Sequence, residues 1–331
     1  MSIEPFAVNR RCEKLDLLPE LRQRDGCHVR ALVLGGAGFL GRHVAARLHA
    51  SGWMVRVLDR SWPKAGATLP AGVDGVAADV LDDLAVARAA EGADAVFHAA
   101  GTTDLATLQR AAASSVDAIV RATAHVSRRL ALAGVRRLVC LSSGGTVYGQ
   151  PRVVPISETE TTRPISAHGR LSLALEDAIA AQVSRTVILR VANAYGPGQR
   201  TDRGQGLVGI ACERLARGDA VEVFGSGAAV RDYVHVCDVA DAAVRAAAYD
   251  GREHVFNVGT GHGTSVRALL GMIAERLDVP LQTRHVPARP FDVTSNVLDV
   301  ARARHELGWM PRVSIEAGIA DLAGRVRERA R

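Results

Sequence analysis

Residues 30 to 41 decide the fold class, and they read Arg30-Ala-Leu-Val-Leu34 followed by Gly35-Gly-Ala-Gly38-Phe-Leu-Gly41. The first five form an apolar run of the kind that parallel strands bury, and an amphipathic helix pattern continues from the glycines to about Ser51. Glycines let the backbone turn tightly and approach an anion, while the helix amino end supplies unpaired N–H groups and a positive dipole. The stretch therefore predicts a phosphate-binding turn at the end of a strand.

A carboxylate follows this turn at the distance that a dinucleotide site requires. The next strand pattern, Met54-Val-Arg-Val-Leu58, ends in Asp59, about twenty residues beyond the glycines, where a carboxylate can accept hydrogen bonds from both hydroxyls of an adenosine ribose. The glycine spacing alone is a weak signal, but strand, spacing and carboxylate agree, so we predict a dinucleotide cofactor. Asp59 favours NAD over NADP, and the adjacent Arg60 works against that preference.

Strands and helices continue to alternate up to about residue 185. Strand patterns lie near Val73 to Ala77 before Asp79-Val80, at Ala95-Val-Phe97 before His98-Ala-Ala-Gly101, and at Arg137-Leu-Val-Cys-Leu141 before Ser142-Ser-Gly-Gly-Thr-Val-Tyr-Gly149. Helices are expected over about 105 to 133 and 166 to 183. This order predicts an α/β fold with a doubly wound parallel sheet, the Rossmann architecture, whose ligands bind at the carboxyl ends of the strands.

Three segments are expected along the chain. Residues 1–28 form an N-terminal extension, residues 29–185 an NAD-binding Rossmann domain, and residues 186–331 a smaller substrate-binding portion that is partly interleaved with the sheet. Thr102, Thr103 and Asp104 follow a glycine, as a helix amino cap requires, and we favour a cap over a place in the pocket.

Composition restricts the class of protein further. The 331 residues are 48% apolar without a run of about 18 apolar residues, and the first 28 are rich in polar and charged residues with no continuous apolar segment. We therefore expect no membrane span, no secretory signal and a cytoplasmic location. The net charge of +6 comes from dispersed arginines, which favours a solvated surface over nucleic-acid binding. Five cysteines without paired spacing argue against a disulfide framework and a zinc site, so the thiols are expected to be reduced and no metal is expected.

Taken in order, these segments resemble the extended short-chain dehydrogenase/reductase family, in particular its NAD-dependent epimerase/dehydratase branch acting on nucleotide-activated sugars. The resemblance spans about residues 30 to 320. Besides the segments above it rests on Asn193 to Gln199, Arg231-Asp-Tyr233, Asn257-Val-Gly-Thr-Gly261, Arg289-Pro-Phe-Asp-Val293 and Leu307-Gly-Trp309. It implies NAD as cofactor, a UDP-, dTDP- or GDP-linked sugar as substrate, and a homodimer formed through the two helices expected at 105 to 133 and 166 to 183.

The same resemblance assigns binding residues. Those expected at the cofactor are Gly35, Gly38, Phe39, Leu40, Gly41, Asp59, Arg60, Asp79, Val80, His98, Ala99 and Ala100, and those expected at the sugar nucleotide are Asn193, Arg231, Arg289 and Tyr148. Guanidinium groups suit a diphosphate, because they stay charged and donate bidentate hydrogen bonds. Surface ion pairing is the alternative for the two arginines, and a turn is the alternative for Asn193.

The catalytic residues depart from the family pattern. Where the family carries Tyr-x-x-x-Lys, this chain has His168 and Ser172. No other alignment restores the pair, because residues Arg152, Gln199, Cys237 and Glu253 stand four positions after the tyrosines, and Lys14 and Lys64 are the only lysines. Gly144 occupies the position of the family's catalytic hydroxyl, with Ser143 next to it.

His168 is therefore the candidate acid/base, with Ser143 and Ser172 as its candidate partners. An unperturbed imidazole titrates near ~6.5 and accepts a proton at neutral pH without help from a lysine. Against this, histidine is shorter than tyrosine, and Ser172 offers neither a positive charge nor a two-point grip on a ribose. A surface histidine that remains after catalysis was lost is the alternative.

We accordingly expect an NAD-dependent enzyme that epimerises a nucleotide sugar through a transient ketone. A ketoreductase or an eliminating enzyme of the same family is the alternative within enzymes. A catalytically inactive protein that binds NAD and a sugar nucleotide is the alternative of another class.

Overall fold

The computed structural model describes residues 29–62, 73–100, 113–202 and 206–330. Within these ranges, seven strands make the main sheet: β1 (Arg30–Leu34), β2 (Met54–Leu58), β3 (Val73–Val76), β4 (Ala95–His98), β5 (Arg137–Ser143), β6 (Thr186–Val191) and β10 (Val255–Val258). Their order is β10-β6-β5-β4-β1-β2-β3. The N-terminal extension and the expected cap at 102 to 104 lie outside the described residues.

The central strands run parallel and are buried. β1 pairs with β2 on one side and with β4 on the other, and β4 pairs with β5, all in parallel. Leu32, Val33 and Leu34 are fully buried, as expected for apolar strands that are covered on both faces. The predicted Rossmann architecture is confirmed.

Helices follow the strands in the expected alternation. Their bounds are α1 (Phe39–Ala50), α2 (Asp83–Ala89), α3 (Ala113–Leu132), α4 (Ala167–Ala180), α5 (Leu207–Ala216), α6 (Val236–Ala248), α7 (Val266–Leu277), α8 (Ala301–Glu306) and α9 (Ile315–Ala330). Side-chain caps mark several of the starts. For example, Asp82 accepts hydrogen bonds from the N–H groups of Leu84 and Ala85, and Ser265 accepts one from Ala268. Such caps satisfy N–H groups that a helix start leaves unpaired.

The remaining strands are short. β9 (Val230–His235) pairs with β7 (Asn193–Tyr195), β11 (Gly263–Ser265) and β13 (Ser295–Asn296), and β8 (Val221–Phe224) pairs with β12 (Thr283–Val286). A core that includes Tyr195, Leu215, Leu269, Ile273 and Ile319 packs beneath them. A separate core that includes Leu32, Val96, Leu130, Leu138 and Ile179 lies around the main sheet.

Two compact units divide the chain, and both are discontinuous in sequence. One contains residues up to Ser142 together with Leu171–Leu189 and Ala240–Phe256. The other contains Ser143–Arg170, Arg190–Val239 and Asn257–Arg331. The predicted division into residues 1–28, 29–185 and 186–331 stays a prediction.

Two further expectations concern membranes and thiols. None of the helices in the described part of the chain is both long and apolar enough to cross a bilayer. Cys140 and Cys212 are free and buried. Cys237 is disulfide-bonded, so the expectation that the thiols are reduced is wrong for this residue.

Candidate active site

The glycine turn between β1 and α1 forms a cradle that side chains would fill. Gly35 has φ 75°, and a Cβ there would lie 2.6 Å from the Cα of Ala100. A Cβ on Gly41 would lie 2.2 Å from the carbonyl oxygen of Gly35. Helix α1 begins after Gly38 without a side-chain cap, so its amino end is available to bind an anion. The residues present therefore fit a dinucleotide pyrophosphate.

Asp59 is held at the end of β2 beside this turn. Its Oδ2 accepts a hydrogen bond from the Ala37 N–H at 3.2 Å, and its Oδ1 accepts two from Ser61 at 2.7 and 2.9 Å. Arg42 donates to the carbonyl oxygens of Ala37 and Gly38 at 2.8 and 3.2 Å. Burial lowers the pKa of Arg42, and the charge of Asp59 opposes that effect. Arg42 therefore stabilises the glycine turn, beside which Asp59 would bind a ribose.

The other residues expected at the cofactor lie at neighbouring strand ends. Asp79 accepts a hydrogen bond from the Leu81 N–H at 2.9 Å and forms an exposed ion pair with Arg60 at 3.5 Å. The Ala99 N–H donates to the carbonyl oxygen of Leu34 at 3.0 Å. His98 is buried, and burial lowers its pKa to about 4, so it stays neutral at physiological pH and is not suited to act as an acid.

Helix α4 carries His168 in its first turn. Ser166 caps the helix by accepting a hydrogen bond from the Gly169 N–H at 3.0 Å. Gly169 permits a close approach, because a Cβ there would lie 2.5 Å from the carbonyl oxygen of Thr146. The start of α4 is thereby placed directly against the loop that follows β5.

That approach brings an unexpected hydroxyl to His168. The Nδ1 atom of His168 lies 3.4 Å from Oγ1 of Thr146, which also lies 3.4 Å from the carbonyl oxygen of Ser143. Burial lowers the pKa of the half-buried imidazole, so the neutral form is favoured. The structure thus places a threonine hydroxyl beside a half-buried imidazole whose neutral form is favoured. Sequence reasoning missed Thr146, because only the fold shows which residue of the loop meets α4.

The family's hydroxyl position is closed to a side chain. A Cβ on Gly144 would lie 2.6 Å from Cδ1 of Leu298 and 2.8 Å from the carbonyl oxygen of Arg190. Ser143, the predicted substitute, is half-buried. Ser172, one turn beyond His168 on α4, is also half-buried. Its hydroxyl carries no positive charge.

Glu176 is a second residue that the sequence reasoning missed. It lies on α4 with only 2% of its surface exposed, and it accepts a short hydrogen bond from Oγ of Ser142. The helix pattern predicts an apolar residue at this position. The glutamate found there is the signal that could have identified it, because a buried carboxylate needs hydrogen-bond partners. The bond ties α4 to the end of β5.

Tyr148 occupies a structural position. Its ring is 1% exposed, and its hydroxyl donates to Oδ1 of Asn257 at 2.7 Å. Arg190 donates to the same hydroxyl at 3.2 Å and lies 5.0 Å above the ring. This burial favours packing over the predicted contact with substrate.

Arg231 and Arg289 lie in one charged cluster with Asp292. Arg289 forms a bidentate pair with Asp292 at 2.9 and 3.0 Å and stacks 4.2 Å above the ring of Phe224. Burial lowers the pKa of Arg231, the charge of Asp292 opposes this, and the charge of Arg289 adds to it. The cluster thus contains two guanidinium groups and one carboxylate. Its net positive charge can attract an anionic ligand. Phe224 is 39% exposed and was not among the predicted residues.

Asn193 lies at the start of β7. Its Nδ2 donates to the carbonyl oxygen of Asp232 at 3.2 Å, which ties it to the strand that carries Arg231. A Cβ on Gly145 would lie 3.9 Å from both amide atoms of the Asn193 side chain. The residue is partly exposed and stands beside the loop that follows β5.

Comparison with known proteins agrees with this geometry. The model of the NAD dependent epimerase/dehydratase family matches residues 31–259. The chain belongs to this family. A UDP-glucose 4-epimerase of Mycolicibacterium smegmatis is 35% identical over 304 residues, which cover 88% of this chain and 96% of that one.

Solved structures of relatives superpose over most of the chain. The UDP-glucose 4-epimerase of Thermotoga maritima, determined with UDP-glucose, has a TM-score of 0.84 at 32% identity and covers 92% of this chain and 100% of its own. That of Thermus thermophilus, determined with NAD, has a TM-score of 0.81 at 31% identity over 90% and 99% of the two chains. The family match confirms the predicted family and, by the description of that family, its dependence on NAD.

Proposed function

We propose that this protein interconverts two UDP-linked hexoses that differ at carbon 4, through a transient ketone, with His168 as acid and base. The observation that carries the proposal is the position of His168. It lies at the start of α4, half-buried and with its pKa lowered by burial, where the family has its catalytic tyrosine. The relatives named as UDP-glucose 4-epimerases support the choice of substrate and carbon.

NAD, when bound, supplies a reversible acceptor for the hydride of the ring carbon. In this chain Gly35, Gly38 and Gly41 would hold its pyrophosphate, and Asp59 would accept hydrogen bonds from its adenosine ribose. We assign the remaining predicted contacts with the cofactor to Asp79, Val80, His98, Ala99 and Ala100, whose strand ends adjoin the turn. Phe39 and Leu40 stand at the first turn of α1.

Arg231 and Arg289 would bind the diphosphate of the substrate. Both can donate paired hydrogen bonds to phosphate oxygens, and an anion bound to both would reduce their mutual repulsion. The exposed ring of Phe224 offers an apolar face to the base of the nucleotide. Asn193 would add an amide beside this cluster.

His168 would perform the proton transfers. Its neutral imidazole accepts the proton of the sugar hydroxyl as the carbon–hydrogen bond breaks and the ketone forms. The resulting imidazolium holds that proton until the hydride returns to the opposite face of the same carbon, and then gives it back to the oxygen. Protons and hydride balance over the cycle, so the net reaction is an isomerisation.

We also propose a homodimer formed through α3 and α4, and a cytoplasmic location, where NAD and sugar nucleotides are supplied. The first proposal rests on the family resemblance of these two helices. Sedimentation of the purified protein at two concentrations tests it, and a monomer at both would contradict it.

The test of the proposed function is the variant His168→Gln, assayed for conversion of UDP-glucose to UDP-galactose. Loss of a general base lowers kcat by about 10²- to 10⁴-fold, while the amount of NAD retained by the protein should not change. His49→Gln, on a partly exposed histidine of α1, is the matched control. Unchanged turnover in His168→Gln would remove the acid/base assignment. A wild-type protein that binds UDP-, dTDP- and GDP-sugars without converting any would instead favour the inactive binding protein.

A further inference from the structure

We propose that Thr146 is a positioning residue that fixes the tautomer of His168. In this arrangement the Nδ1–H of His168 donates to Oγ1 of Thr146, and the Thr146 hydroxyl donates to the carbonyl oxygen of Ser143. Nε2 of His168 is then left with the free lone pair. The inference rests on the proposed function, in which His168 is the base.

The proposed direction of this chain depends on where the single hydrogen of the Thr146 hydroxyl points. The carbonyl oxygen of Ser143 only accepts, and a threonine hydroxyl carries one hydrogen. If that hydrogen points to Ser143, at 3.4 Å from Oγ1, then Oγ1 has only lone pairs for the histidine. The Nδ1 atom, at 3.4 Å, is then the donor and carries the proton in the proposed tautomer. Both distances are long for hydrogen bonds.

The backbone holds the three groups in place. The Ser143 carbonyl accepts the N–H groups of Thr146 and Val147 at 3.1 Å each, so its oxygen faces into the turn that carries Thr146. On the other side, Gly169 lets α4 approach the Thr146 backbone, and the Ser166 cap fixes the first helical turn. Thr146 and His168 thus face each other from two anchored segments.

A fixed tautomer has a direct chemical use here. A neutral histidine accepts a proton only at its unprotonated nitrogen, and the hydrogen bond of the other nitrogen decides which one that is. The family relies on a lysine to activate its tyrosine, and this chain has no lysine on α4. Here Thr146 would prepare the base instead, by fixing the tautomer of His168. Its oxygen would continue to accept the hydrogen bond from Nδ1–H when His168 is positively charged.

The tautomer can be measured without any turnover. We would record ¹⁵N spectra of histidine-labelled protein at a pH where His168 is neutral, and assign its signals by comparison with His168→Gln. The expected result for the wild type is a protonated Nδ1 and an unprotonated Nε2. In Thr146→Val this pattern should be lost in favour of the Nε2–H form, and in Thr146→Ser it should be kept. Thr162→Val, on a partly buried threonine upstream of α4, should leave the spectrum as in the wild type.

Turnover of the same variants provides the second readout. Thr146→Val should lower kcat by about 10- to 100-fold with little change in KM, and Thr146→Ser should restore most of it. An Nε2–H tautomer in the wild type, or an unchanged tautomer in Thr146→Val, would overturn the inference even if the enzyme is active. The expected tautomers in a protein without turnover would uphold the inference and contradict the proposed function instead.

Discussion

At the scale of single residues, His168 differs from the tyrosine it replaces in how its charge responds to pH. The base must be neutral, and burial lowers the pKa of His168 below the ~6.5 of a free imidazole. Activity should therefore stay constant as the pH falls to about 6.5 and decline only below it, as the imidazole becomes protonated. Profiles of kcat/KM against pH check this. A decline that begins well above pH 7 would show that a group with a higher pKa is the base.

The glycine at the family's hydroxyl position gives a second prediction at this scale. Restoring a serine at Gly144 should lower the free energy of unfolding by about 1–3 kcal/mol without raising activity, because its Cβ would press on Leu298 and the Arg190 carbonyl. Gly145→Ser is the matched control, since the nearest atoms to a Cβ there, on Asn193, are 3.9 Å away. Urea unfolding and kcat measure both effects. Higher turnover in Gly144→Ser than in wild type would contradict this account.

At the scale of helices and strands, the start of α4 is the element that places the acid/base residue. Gly169→Ala would put a Cβ 2.5 Å from the Thr146 carbonyl oxygen, so the first turn of α4 must shift. We expect a loss of kcat together with about 1–3 kcal/mol of stability, while NAD binding is retained. Gly271→Ala on α7, where a Cβ meets no atom within 4 Å, should instead stabilise the protein by about 0.5–1 kcal/mol. Full activity in Gly169→Ala would show that the close approach is unimportant.

Element order and bounds were largely predictable from the chain, because they depend on local patterns. The apolar run Met54–Leu58 forms β2 over the same residues, and the helix expected at 166 to 183 forms over Ala167–Ala180. Contacts between elements were not predictable in this way. The meeting of Thr146 with His168 depends on a glycine one position further along, and the burial of Tyr148 depends on Asn257, which lies 109 residues away in sequence. Such pairs appear only when the chain has folded.

At the scale of the whole molecule, the reaction class depends on whether the cofactor stays bound through the cycle. The proposed epimerisation requires that NAD be retained, and retention distinguishes an epimerase from a ketoreductase. A UDP-glucose that carries deuterium on carbon 4 should then give UDP-galactose with the deuterium on the same carbon. In the proposed cycle the hydrogen that leaves that carbon returns to it before the cofactor can exchange.

Mass spectrometry of the product, with unlabelled NADH added in excess, checks this expectation. Retained deuterium in the product and none in the free NADH would support recycling within one active site. UDP-glucose deuterated at carbon 2 serves as the control, because that hydrogen takes no part in the proposed reaction. Loss of the carbon-4 label to the added cofactor would mean that the cofactor exchanges during the cycle, which would favour the ketoreductase alternative over epimerisation.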